Sequence, residues 1–149
     1  MVYVVRHAHA GDRTKWKGPD ELRPLTEKGW KQAAALAERI QGVERLLSSH
    51  YLRCRQTLEP LAKRRRLPIE DDPRLVEGTP FGQFLELVTT PGPPTAMCTH
   101  GDLVVGLVEY LLDRRLTDPG KAGSAKASVW ALEVEAGTIK SARYIPPPA

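Results

Sequence analysis

The chain has 149 residues, 41% hydrophobic and 27% charged, with a formal net charge of +4. That length suits one domain able to bury about 70% of the surface its unfolded form exposes, and no apolar run approaches the ~20 residues of a membrane helix. Two cysteines, Cys54 and Cys98, are too few for a secreted disulfide framework, and with no basic, apolar leader at the start a cytoplasmic protein is expected.

A β-branched and aromatic run, residues 2–5, reads as a buried strand that ends at Arg6-His7, followed by small residues and Gly11. Residues 11–24 are polar and contain Gly18-Pro19, so a loop over the strand ends is expected. Thr26 reads as an N-cap for a helix carrying Trp30, Ala33, Ala34, Ala37 and Ile40, with Gly42 as the stop. Residues 45–49 form a second short strand. From Leu52 a helical run places Cys54, Thr57, Leu58, Leu61 and Ala62 on one face, and Pro60 is expected to kink or divide it. The basic run Lys63-Arg64-Arg65-Arg66 complements that helix's C-terminal dipole.

Ile69 marks a weak strand before Glu70-Asp71-Asp72, and the stretch ends at Val76-Glu77-Gly78. Thr79 as N-cap and Pro80 at the first position open a helix with Phe81, Phe84, Leu85 and Val88 at i, i+3, i+4 and i+7. Residues 95–99 are a strand running into His100-Gly101-Asp102 and an apolar helix over 103–112, which repeats the arrangement at His7. Residues 117–127, rich in Gly, Ala and Lys, look like a mobile loop. Residues 128–134 and 139–145 form a hairpin through Glu135-Ala136-Gly137, and the proline tail 146–149 is expected to be disordered. Alternating strands and helices predict a three-layer α/β/α sandwich with a largely parallel central sheet, to which the hairpin adds strands, in one domain over 1–145.

Three strand ends then present Arg6-His7, Ser49 leading into Arg53, and Thr99-His100, and in such a sheet they converge on one pocket. Two arginines and two histidines favour a phosphoryl group: the guanidinium fork binds two phosphate oxygens and holds its charge at every physiological pH. A neutral imidazole beside two guanidinium groups keeps a lone pair for nucleophilic attack.

Arg6-His7-Ala8 resembles the Arg-His-Gly/Ala signature of the histidine phosphatase, or phosphoglycerate mutase-like, superfamily; Ser49-x-x-x-Arg53-Cys54-x-x-Thr57 resembles its second motif and Thr99-His100-Gly101 its third. The match spans roughly residues 1 to 112. Arg23-Pro24-Leu25-Thr26 and the short length resemble the compact SixA-type branch, and also the phosphatase domain attached to some MutT-like nucleotide hydrolases. The resemblance implies a phosphoglycerate mutase-like fold and a metal-independent phosphatase without a cofactor, in which His7 becomes phosphorylated while Arg6, Arg53 and His100 cradle the phosphate. Gly101 and Arg23 join the expected substrate-binding residues. For the general acid, Asp20 lies where SixA-type proteins carry an acidic residue, Glu77 is the other candidate, and Asp20 is preferred. The implied partner is a phosphorylated small molecule, a nucleotide or a phosphohistidine protein; a monomer with no nucleic acid or membrane partner is expected.

His7-x-His9 with Asp12 and His100 has the ligand types of a zinc hydrolase, although Arg6 would place a fixed cation beside the metal. A structural, hydrogen-bonded role for His9 is the plainer alternative. A phosphate-binding module without turnover would keep the same pocket, and mutase activity needs a second phosphate site for which the loops leave little room. A cysteine nucleophile is excluded, because Pro60 and Val104 stand where an arginine six residues after Cys54 or Cys98 is required.

Overall fold

A computed structural model describes residues Met1–Ala149. Six strands form one sheet: β1 (Val2–Arg6), β2 (Arg45–Ser48), β3 (Ile69–Asp71), β4 (Thr95–Thr99), β5 (Val129–Glu135) and β6 (Thr138–Ile145), in the spatial order β3-β2-β4-β1-β5-β6. The first four pair in parallel, while β5 runs antiparallel to β1 and to β6. Four helices cover it: α1 (Glu27–Arg39), α2 (Leu52–Arg65), α3 (Phe81–Thr89) and α4 (Gly101–Asp113).

Period-two alternation explains the layers. Val5, Leu46, Ala96 and Cys98 face one core with Leu36 of α1 and Leu58 and Leu61 of α2. Val4, Leu47 and Met97 face the other with Phe84 of α3, Leu107 and Leu111 of α4, and Trp130. Fully burying each such leucine contributes about 1.5–3 kcal/mol. Thr26 caps α1 as read from sequence, its hydroxyl accepting from Gly29 N at 3.2 Å.

Several expectations change. α2 runs unbroken through Pro60, because Leu58 and Leu61 on either side are buried at 1% and 2% exposure and hold both halves to the sheet. α3 begins at Phe81 after Pro80, and the Thr79 hydroxyl donates to Pro73 O rather than capping the helix. The stretch expected to be mobile is tied down. Ser124 O accepts from Arg6 Nη1 at 2.8 Å, Gly123 O accepts from Trp130 Nε1 at 2.9 Å, and Pro119–Lys121 forms a 3-10 turn. Ala127 is fully buried in the left-handed region at φ +63°, with its N–H shared between the carbonyls of Arg6 and His7. The tail 146–149 is irregular but not free: Pro146 O accepts from Arg39 at 3.3 Å and Pro148 is buried.

Register decides where the polar strand ends meet. Arg6 is aligned with Thr99, and Ser48 with Cys98, across the neighbouring strands β1, β4 and β2. One residue further on, His7 N donates to Thr99 O and Ser49 N to Cys98 O, each at 3.1 Å. The chain after β1 leads to α1 on one face and the chain after β4 leads to α4 on the other, so the sheet opens between these ends.

Candidate active site

At that opening lies a cleft of about 550 Å³ lined by Arg6, His7, Arg53 and His100 at its floor and by Arg13, Glu77 and the exposed side of α4 at its walls. His7 is 5% exposed. Its Nδ1 lies 2.9 Å from the carbonyl of Ala8. A carbonyl only accepts, so Nδ1 carries the proton and Nε2 carries the lone pair. Nε2 has no hydrogen bond in the protein and is not sealed from solvent, which makes it the ring nitrogen available to the cleft. Burial lowers the His7 pKa from 6.5 to about 3; the bond to Ala8 opposes the shift, and the charges of Arg53, His100 and Arg6 add to it. Above that value His7 is a neutral, aligned nucleophile.

The Ala8 backbone is itself fixed, since its N–H donates to Thr57 Oγ1 at 2.9 Å and Thr57 donates in turn to Arg53 O at 2.7 Å. The Ser49-to-Thr57 spacing of the second motif thus ties the start of α2 to the end of β1.

His100 is 2% exposed, and its ring lies 5.6 Å from that of His7. Nε2 is 2.8 Å from Ser49 Oγ, while the buried Nδ1 has no partner. Tyr51 packs edge-on against the same ring and lies under the Arg53 guanidinium at 4.8 Å. Buried Nε atoms of Arg6 and Arg53 are also unpartnered. Arg6, Arg53 and His100 line one cleft, to which the two guanidinium groups bring positive charge. An oxyanion with several acceptor oxygens fits these sites.

Gly101 belongs to this arrangement through its missing side chain. A Cβ there would lie 2.7 Å from Arg6 Cζ, so only glycine lets the guanidinium lie across the first turn of α4. Burial lowers the Arg6 pKa and the nearby Asp102 carboxylate partly restores it; the group stays a cation.

The two candidate acids both reach Arg53, but differently. Asp20 is clamped at each oxygen: Oδ1 accepts from Arg23 Nε at 3.0 Å, and Oδ2 accepts from Arg53 Nη2 at 3.0 Å and lies 3.4 Å from Arg13 Nη2. Burial raises the Asp20 pKa, but the hydrogen bonds and charges of Arg23, Arg53 and Arg13 outweigh it and hold the carboxyl below its ordinary range. Glu77 makes longer contacts, 3.4 Å to Arg53 and 3.2 Å to Arg13, and lines the cleft where Asp20 does not.

Arg23 does not line the cleft: it is 6% exposed, its Nε donates to Asp20, and its Nη1 donates to the carbonyls of Ala10 and Gly11 at 2.7 and 3.2 Å. The metal-ligand grouping does not assemble either. His9 Nδ1 is 2.7 Å from Thr26 Oγ1, Asp12 caps the 3-10 turn at Thr14, and no three His, Cys, Asp or Glu side chains come together as a metal site. Arg13 escaped the sequence reading: it looks like one charge among many in a polar loop, and its partner Glu77 is 64 residues away.

The model of the histidine phosphatase superfamily (branch 1) matches residues 2–89. Among curated relatives, the phosphohistidine phosphatase SixA of Escherichia coli is 33% identical over 93% of this chain and 90% of its own length. An 8-oxo-(d)GTP phosphatase of Mycolicibacterium smegmatis is 36% identical over 99% of this chain, which spans only 48% of that protein. The solved structure of a protein histidine phosphatase SixA complexed with tungstate superposes with a TM-score of 0.66 at 23% identity, covering 98% of this chain and 94% of the other, a likeness of fold.

Proposed function

The chain belongs to the histidine phosphatase superfamily, and from its site we propose that it is a metal-independent phosphatase working through a phosphohistidine on Nε2 of His7. The observation that carries this reading is the His7 tautomer: the Ala8 carbonyl takes the Nδ1 proton and leaves the Nε2 lone pair toward a cleft of guanidinium groups.

The cycle has two displacements. In the first, Nε2 attacks phosphorus in line, the bond from phosphorus to the leaving oxygen breaks, and Glu77 as the carboxylic acid gives its proton to that oxygen. Arg6, Arg53 and His100 meet the equatorial oxygens, so the gain lies in positioning and charge stabilisation. The phosphorylated imidazole keeps its Nδ1–H on Ala8 O, which disperses the positive charge it acquires. In the second, Glu77 as carboxylate takes a proton from water, the water oxygen attacks phosphorus, and the P–N bond breaks to return a neutral His7. Glu77 replaces Asp20 as the preferred acid, because Glu77 lines the cleft beside His7 whereas Asp20, bonded to Arg23 and Arg53, does not.

The names of the relatives carry two substrate chemistries, a nucleotide and a phosphohistidine. Both offer a terminal phosphoryl group, which is what the floor of this cleft accommodates. Hydrolysis of p-nitrophenyl phosphate tests the reading: turnover should survive EDTA dialysis and vanish in His7→Ala. Turnover near wild type in that variant, or activity lost to EDTA and restored by zinc, would sink it.

A further inference from the structure

The phosphoryl floor occupies only part of the cleft. The remainder runs outward along α4, lined by Val105, Gly106 and Glu109, and the last two also line a second hollow of about 460 Å³ with Phe81, Tyr110 and Asp113. The two hollows adjoin at Gly106 and Glu109. Residues 102, 105, 106, 109, 110 and 113 recur at three- and four-residue spacing, so one face of α4 forms their wall. Gly106 admits the aromatic: a Cβ there would lie 2.8 Å from Phe81 Cδ1. Phe81 stands 6.0 Å from Tyr110 between ring centroids, and Val105 is 43% exposed, so apolar surface lies open beside the phosphoryl site.

Arg6 and Arg53 lie at the inner end of this groove, each with a buried and unpartnered Nε. Glu77 and Asp102 stand close to these arginines, and Glu109 and Asp113 lie farther along α4. The nearby cations are committed: Arg13 lies on Asp20 and Glu77, and Arg114 is stacked on the Tyr110 ring at 4.5 Å. A second phosphoryl or a carboxylate placed beside Glu109 and Asp113 would face like charge.

We propose that the outer groove is the leaving-group site and that it selects phosphate monoesters whose leaving group is a flat apolar body bearing a positive charge. Glu109 lies eight residues beyond Gly101 along α4, about 12 Å of helical rise, and side chains tilt back toward the N-terminus, so the charge belongs roughly 10 Å from phosphorus. The inference rests on the reading of His7 as phosphoryl acceptor.

Three phenyl phosphates with similar leaving groups provide the test: O-phosphotyramine, 4-ethylphenyl phosphate, and the phosphate ester of 3-(4-hydroxyphenyl)propionate. They differ in an ammonium, a neutral and a carboxylate arm. In wild type kcat/KM should fall in that order, by up to about tenfold from first to last, as expected when attraction turns to repulsion at exposed carboxylates. Glu109→Gln should compress the range to about threefold, and Glu109→Lys should invert it. Ratios within one variant cancel any loss of folded protein. A flat order in wild type, or an order unchanged in Glu109→Lys, would overturn the inference. If wild type hydrolyses p-nitrophenyl phosphate but none of the three, the inference falls; if it does not hydrolyse p-nitrophenyl phosphate either, the phosphatase reading falls, and dissociation constants of the three compounds by calorimetry decide the groove: the ammonium-first order supports it, and equal affinities overturn it.

Discussion

Replacing His7 by asparagine should make the chain less sensitive to acid. The native imidazole is 5% exposed and its pKa is lowered to about 3, chiefly by burial, whereas the unfolded chain regains the ordinary 6.5. Between those values the unfolded state binds the extra proton, so stability falls as pH falls through this window and is unaffected by His7 above it. The loss grows by about 1.36 kcal/mol per pH unit below 6.5, which at pH 4.5 amounts to about 2.7 kcal/mol. His7→Asn removes that titration, while other titrating groups respond alike in both proteins and cancel. Urea unfolding of the two at pH 8 and pH 4.5 reads the difference. The variant's stability relative to wild type should rise by about 2.7 kcal/mol on acidification. Parallel losses in the two proteins would refute the buried, neutral imidazole.

Glu77→Gln should slow alkyl phosphates by about 10²- to 10⁴-fold and p-nitrophenyl phosphate far less, because only the poor leaving group needs the proton; steady-state kinetics on the two esters checks this. Asp20→Asn should loosen Arg53 and lower kcat/KM for both esters alike, and leaving-group dependence in this variant instead of in Glu77→Gln would restore Asp20 as the acid. Gly101→Ala should push the Arg6 guanidinium off the first turn of α4 and cost about 10²-fold in kcat/KM through misplacement. Its melting temperature should fall only modestly, as checked by circular dichroism alongside the kinetics.

What the sequence made legible followed from local chemistry. Strand ends at Arg6-His7, Ser49 and Thr99-His100, the Thr26 cap and the alternation of Val4 and Val5 between two cores all follow from spacing and residue type. What it hid depends on partners far along the chain. Pro60 reads as a break because its missing N–H is local, while the burial of Leu58 and Leu61 that overrides it comes from the folded sheet. The stretch 117–127 has the composition of a free loop, yet Arg6, Trp130 and Tyr144 pin it, and Gly123 sits so close to the Tyr144 ring that a Cβ would lie 2.5 Å from it. The place of Asp20 in the chain favours it over Glu77 as the acid, but does not show that Arg23 and Arg53 clamp both of its oxygens. Arg23, expected at the phosphate, lies three residues from Asp20 and pairs with it at 3.0 Å.

Covalent capture of the intermediate tests the central claim most directly. Protein mixed with a phosphate monoester, quenched in alkali within a turnover and digested, should yield a phosphoryl adduct on the peptide containing His7, stable in alkali, lost in mild acid and assigned to Nε2 by phosphorus NMR. With p-nitrophenyl phosphate, Glu77→Gln should accumulate more of it, because hydrolysis of the phosphohistidine lacks its base, and His7→Ala should show none. Turnover with no adduct at His7, or an adduct on another residue that persists in His7→Ala, would contradict the account.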